Sequence, residues 1–304
     1  METLIDTVVG AFLSAIDGAL VNVAPYGFGL LGVLAAIAFY FRYMPYVSST
    51  GAGLGDALAG LILLMLGIGI TMWIVQKIIP MGDALYQAAV TIGLNATGST
   101  VEASQLRNPS FILEKHKEVT KPIEAYILNH VYGFAAIKNI GSVLSFWFAE
   151  MGIYVIFLGI AVHVAMIVIE FYFSLVAASV LLPCVLFSPS TFLGEWAVGW
   201  VLGNTVRVMM VTLVVGIAVP SFDLLIPTAT TNDLKWVEVF GVLAATLLFG
   251  AMAWTVPGKA ANLVGHGLSL SASTVMGAAA SSMRGVMVAQ NAIRGASRLL
   301  QRHA

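Results

Sequence analysis

The sequence predicts an all-α, polytopic membrane protein with about five transmembrane helices, amphipathic helices outside the bilayer and a basic cytoplasmic tail. Three observations predict it. Hydrophobic residues make up 59% of the 304 and charged residues only 10%, where a soluble domain carries about 25% charge. The apolar residues gather in runs of about 20, the length needed to cross the hydrocarbon layer. The remaining charges are sorted by position, with acids and no base at the start and bases and no acid at the end.

Residues 1–26 open with METLIDTVVGAFLSAIDGAL. Ile5, Val8, Val9, Phe12 and Ile16 recur at helical spacing, with Glu2, Asp6 and Asp17 opposite them. That pattern is an amphipathic helix. Three acids and no base are the reverse of a signal peptide's positive start. Residues 27–44 then form a first span, with Arg42 snorkelling at its far end. Residues 57–76 form a second, free of charge. Residues 151–187 are one long apolar run interrupted only by His163 and Glu170; 197–219 qualify apart from Arg207, and 237–256 apart from Glu238. Counting the long run once gives five spans, and splitting it at Glu170 or Pro183 gives six.

Charge asymmetry near the ends sets orientation. Lys259, Arg284, Arg294, Arg298 and Arg302 follow the last span without an acid. The C-terminus is therefore expected in the cytoplasm and the N-terminus, with Glu2, Asp6 and Asp17, outside. Opposite ends need an odd number of spans, which favours five. Residues 78–150 become a large outward or interfacial segment. In it Asn108-Pro109 reads as a helix start and Lys121-Pro122 as the start of a second helix. The apolar stretch around Lys138-Asn139 reads as interfacial or packed on other helices, with a sixth span as the competing assignment. Pro220 and Pro227 frame an outward turn. The tail, 257–304, is rich in small residues and basic; Arg294, Arg298 and Arg302 repeat every four residues and share one helical face, suited to an anionic leaflet or acidic partner.

Catalytic signatures are missing: there is no HExxH, GxSxG, GxxxxGK[ST] or GxGxxG. No cofactor or metal is expected, and the lone Cys184 reads as a buried hydrophobe. The informative charges lie inside spans, where they are costly and mark pairing or function. Glu170 and Arg207 fall in consecutive antiparallel spans and are expected to pair. His163 lies seven residues from Glu170, on the same face. The three residues either fix helix register or line a hydrated path. Outside the bilayer, apolar faces left wet in a lone monomer mark partner contacts. The candidates are Phe12, Ile16, Asn108, Pro109, Phe111 and Lys117.

Three stretches carry a family likeness: GLNATGS (93–99) followed by Asn108-Pro109-Ser110 and Ile112; FSPSTFLGEWAVGWVLGNTVRVMMVTLVVGI (187–217); and VPGKAANLVGHGLSLSAS (256–273). In their order and spacing the chain resembles the TrbL family, the polytopic inner-membrane subunit of conjugative type IV secretion systems. The resemblance implies a non-enzymatic channel or platform subunit in a bacterial inner membrane, assembled as a homo-oligomeric ring among membrane lipids. It also implies contact with a minor pilin, assembly ATPases and core-complex proteins, with DNA or protein passing as transient cargo. The alternative is a stand-alone secondary transporter or ion channel using Glu170, His163 and Arg207.

Overall fold

The computed structural model describes residues 2–48, 54–98, 101, 105–131, 134–225 and 234–264. These form seven α-helices: α1 (Glu2–Ser48), α2 (Leu54–Gln76), α3 (Ile78–Thr97), α4 (Ser110–Val131), α5 (Phe134–Leu181), α6 (Thr191–Leu225) and α7 (Trp236–Val264). No strand occurs among the described residues. The chain is an all-α protein built of long apolar helices, as a polytopic membrane protein requires. Four helical stretches are long and apolar enough to cross a bilayer: Asp6–Phe41, Ile140–Leu186, Ser188–Leu224 and Trp236–Val264.

The second crossing is bent. Gly60–Gln76 and Ile78–Thr97 meet the same test together, at an angle of 68°. The cause is Pro80: it has no N–H, and its ring collides with the carbonyl four residues back, at Gln76. The helix therefore stops at Gln76 and restarts so that Pro80 falls in the first turn of α3, where a missing N–H costs nothing. At the joint the Lys77 N–H donates to the carbonyls of Trp73 and Ile74, and the Lys77 carbonyl accepts the Met81 N–H at 2.9 Å. Counting the bent pair once gives five crossings.

At the centre, α5 and α6 form an antiparallel hairpin closed by 3-10 turns at Leu182–Leu186 and Ser188–Ser190. Pro183 and Pro189 lie in those turns and end the helical run. Along the hairpin Val185 meets Gly194, Glu170 meets Arg207, and Phe157 meets Phe222 at a ring distance of 5.1 Å. The most apolar windows of α5 and α6 are 44% buried inside the chain, against 17% in α1 and 22% in α7. The hairpin is the core, and α1 and α7 flank it. The α7 helix runs parallel to α5, from Trp236 beside Phe146 to Trp254 beside His163.

Lipid tails are as apolar as leucine, so helices in a bilayer associate through close packing rather than hydrophobic expulsion. Glycines set the packing of α3. A β-carbon on Gly82 would run into Leu175 of α5, and one on Gly93 would meet the Thr212 side chain and, at 2.6 Å, the Met209 carbonyl of α6. One on Gly216 would lie 2.5 Å from the Thr97 hydroxyl. The α1 helix crosses α5 the same way, with Gly27 against the Ser179 carbonyl. The α3 helix ends on Gly98, whose φ of 62° makes the left-handed cap and sends its N–H back to Asn95 and Leu94. That conformation costs glycine little.

Several sequence expectations change here. Residues 1–26 and 27–44 are one helix, α1, which runs through Pro25. At about 70 Å it exceeds a hydrocarbon layer of about 30 Å. Lys121-Pro122 starts no new helix: Pro122 lies inside α4. Residues 134–150 form no sixth span of their own; they are the first turns of α5, packed on other helices where Phe146 meets Tyr126 of α4 and Trp236 of α7. Of the outward segment 78–150, its first part is α3, packed against the hairpin. Pro220 lies inside α6, Pro227 lies outside the described residues, and α7 carries the helix past Pro257 to Val264.

Overpacking a tight helix contact costs about 1–3 kcal/mol. Gly93→Ala is expected to lower the thermal midpoint of the purified protein. Gly10→Ala, whose β-carbon meets nothing within 4 Å, is expected to leave it unchanged or raise it. Equal midpoints for the two variants would show that α3 does not depend on this contact.

Candidate functional site

The α5–α6 hairpin carries an ion pair inside the helical body. An Arg207 guanidinium nitrogen donates to the Glu170 carboxylate. The Asn204 side-chain amide, one turn earlier on α6, donates to the Glu170 backbone carbonyl at 3.3 Å. Arg207 Nε is buried and has no hydrogen-bond partner among the described residues. The two side chains are not sealed off: Arg207 is 26% exposed and Glu170 39%. A charge pair open to one side of a membrane helix needs water, a headgroup or another chain there, because hydrocarbon does not solvate it.

His163 does not join the pair. Its ring stacks on Trp254 of α7 at 4.4 Å with 20° between planes, and its Nε2 is buried without a partner among the described residues. His163 meets α7 at Trp254, while Glu170, two turns on, meets α6 at Arg207. The arrangement gives one ion pair and one stacked imidazole rather than a three-residue relay.

One intramembrane acid escapes the sequence reading. Asp83 sits in the first turns of α3, and its carboxylate accepts a hydrogen bond from the Tyr172 hydroxyl at 2.7 Å. Tyr172 and Tyr86 lie beside Phe171, with ring centroids about 6 Å apart. The signal was a lone acid on the face that also carries Tyr86, Val90 and Gly93, all buried. Assigning 78–150 to the outside hid it.

At the end of the bundle that holds the start of α1, α4 is pinned from two sides. Asp6 of α1 accepts the Ser110 N–H at 3.1 Å, so a carboxylate from another helix caps α4, where the helix dipole favours negative charge. Lys115 donates to Asp223 of α6 and to Glu118, each at 2.6 Å. Burial pulls the Lys115 ammonium down, but the hydrogen bonds to Asp223 and Glu118 outweigh it and hold the group above its usual value. Around these ties the partner-contact candidates divide. Phe12, Asn108 and Lys117 are exposed, Phe111 is half-buried against the core, and Ile16 and Pro109 are buried in the chain's own interior. Arg294, Arg298 and Arg302 lie outside the described residues.

At the opposite end an apolar groove of about 470 Å³ lies between Ala38 and Phe41 of α1, Leu64 of α2, and Leu186, Phe187 and Ser188 of the hairpin turn. Its lining suits packing rather than acid–base chemistry. Among the described residues no group of three or more His, Cys, Asp or Glu is placed to hold a metal ion.

Breaking a fully buried ion pair by removing one partner costs about 3–5 kcal/mol, and partial exposure makes the cost here smaller. Glu170→Gln and Arg207→Met are each expected to lower membrane levels of the protein, and the double variant to recover part of the loss. A double variant equal to the sum of the singles would mean that the contact contributes no coupling.

The stretches of sequence that are most distinctive meet in space. Gly93 and Thr97, from 93–99, pack on Met209, Thr212 and Gly216, from 187–217, and the Ala261 carbonyl of α7 comes to 3.8 Å from the β-carbon position of Gly203. The family model described as TrbL/VirB6 plasmid conjugal transfer protein matches residues 40–256. The match runs from the end of α1 into α7 and takes in the first two stretches whole, while the third lies almost entirely beyond it. No curated protein matches the chain. With more than two thirds of its length inside one family model, this chain belongs to the TrbL/VirB6 family of plasmid conjugal transfer proteins.

Proposed function

We propose that this protein is a non-enzymatic channel or assembly-platform subunit in the bacterial inner membrane, part of a conjugative type IV secretion system. In this role it forms a homo-oligomeric ring that supports pilus assembly and the passage of DNA or protein. A minor pilin meets it at the periplasmic side, and assembly ATPases and core-complex proteins complete its surroundings. The observation that carries the proposal is the family match over residues 40–256; TrbL/VirB6 proteins are structural conjugation subunits. Support also comes from α1 and α7, whose apolar windows are mostly uncovered by the rest of the chain.

The experiment is deletion of the gene from its conjugative element, with restoration in trans. Loss of transfer on deletion and recovery on complementation are expected, and unchanged transfer would refute the proposal. Topology follows from the same reading. Reporter fusions at residues 1 and 304 are expected to place the N-terminus in the periplasm and the C-terminus in the cytoplasm; both ends on one side would rule out five crossings.

Cysteines at Phe12 and Phe111, in a Cys184→Ser background, test the outer surface. They are expected to cross-link to a second copy or to the minor pilin in cells carrying the whole apparatus. Free labelling of both by a membrane-impermeant thiol reagent, without adducts, would remove these faces from the interface.

A second reading, a stand-alone transporter or ion channel, draws on the bent α2–α3 pair and on Asp83 beside it, because discontinuous helices often frame transport sites. Asp83→Asn separates the two. A carrier loses ion or solute flux while conjugation proceeds, whereas a platform subunit shows no flux to lose.

A further inference from the structure

The buried face of α4 consists of Ile112, Leu113, His116, Val119, Thr120, Ile123 and Tyr126. Six of the seven pack as expected for an amphipathic helix lying on α5. His116 is the exception, an ionisable ring only 7% exposed in the middle of that face. Its ring stands edge-on to Tyr154 at 5.2 Å and to Phe157 at 5.6 Å, both on α5. Its Nε2 is buried with no hydrogen-bond partner among the described residues. A neutral imidazole tolerates this place as an aromatic ring. An imidazolium there would bring a buried charge and a second N–H with nothing to accept it.

We propose that His116 is an acid-sensitive latch: neutral, it seats α4 on α5, and protonated, it drives α4 off that face. This rests on the fold alone and not on the secretion reading, so it can fail without touching that reading.

The groups around the latch come from every helix packed on α4. Lys115, Lys117, Glu118 and Glu124 are on α4 itself, Glu150 and Tyr154 on α5, Asp223 on α6 and Asp6 on α1. Lys115 is already engaged by Asp223 and Glu118, and Asp6 by the Ser110 N–H. Burial pulls the His116 imidazole below its ordinary value of 6.5; Glu124 opposes that and Lys117 adds to it. The sign is therefore fixed. Above about pH 6.5 the ring is neutral whether α4 is docked or not, and docking has its full strength. As pH falls below that, the undocked ring binds a proton first, and docking weakens until pH passes the docked value. One proton changes the docking equilibrium by at most about tenfold per pH unit.

The test uses the full chain in lipid nanodiscs with Cys184→Ser and Val119→Cys, a probe on the face of α4 that contacts α5 and fully buried there. Labelling by an impermeant maleimide is followed between about pH 7.5 and about pH 5.5. Every rate is divided by that of the same protein carrying His116→Phe, which cancels the thiol's own pH dependence. The ratio is expected to rise as pH falls, by up to about tenfold per unit. A flat ratio overturns the proposal. So does a rise that His130→Gln abolishes, since His130, stacked on Tyr126 at 4.1 Å, is the other histidine of α4. If His116→Phe does not fold, the imidazole is titrated directly by NMR in ring-labelled wild-type protein. Protonation at or above about pH 6.5 overturns the latch, and protonation below it, together with a rise in Val119→Cys labelling, supports it.

Discussion

A bilayer interior offers the backbone no hydrogen bonds, and an unsatisfied N–H or C=O there costs several kcal/mol. Most of this structure follows from that constraint. It favours few, very long helices over many short ones, because every helix end inside hydrocarbon strands backbone groups. It fits the way α1 runs unbroken through Pro25 and α6 through Pro220. Pro80 accompanies the break between α2 and α3, as Pro183 and Pro189 accompany the turns between α5 and α6, and at Pro80 the Lys77 N–H and carbonyl both bond across the joint. The same constraint applies to side chains. Serine and threonine hydroxyls along the helices return to carbonyls three or four residues back, as Thr71, Ser174, Thr205 and Thr246 do.

Within that frame, glycine chooses which helices touch. The α3 helix reaches α5 and α6 at Gly82, Gly93 and Gly216, and α1 reaches α5 at Gly27. These contacts bring GLNATGS together with the long α6 stretch. They are two sides of one packed seam, and neither tolerates bulk without moving the other.

How much was legible in the sequence depended on the kind of signal. The rare charges within apolar runs were informative: Glu170 and Arg207, expected to face each other, form an ion pair. Helix ends were read poorly. A break after residue 26 was expected where an amphipathic pattern gives way to an apolar one, and one at Lys121-Pro122 because proline punctuates soluble chains. The surroundings override that punctuation at Pro25, Pro122 and Pro220, and Pro80, at the bend, lay at an assumed boundary. Asp83 was missed because a single carboxylate says little until its neighbour is known, and Tyr172 is 89 residues away. Asp6 looked like one acid in a wet helix. Its role as a cap for α4 required knowing that Ser110 lies beside it.

The length of α1 has a mechanical consequence. It is a rod of about 70 Å, tied near one tip by Asp6 to the start of α4 and near the other by Phe41, whose ring lies 6.1 Å from Phe187 in the hairpin turn. A rod stiffer than the membrane around it acts as a lever. A tilt of about 5° at one tip moves the other by about 6 Å, roughly the pitch of one helical turn. A force applied where Asp6 meets the start of α4 is therefore delivered along one continuous helix to the turn that joins the two central helices.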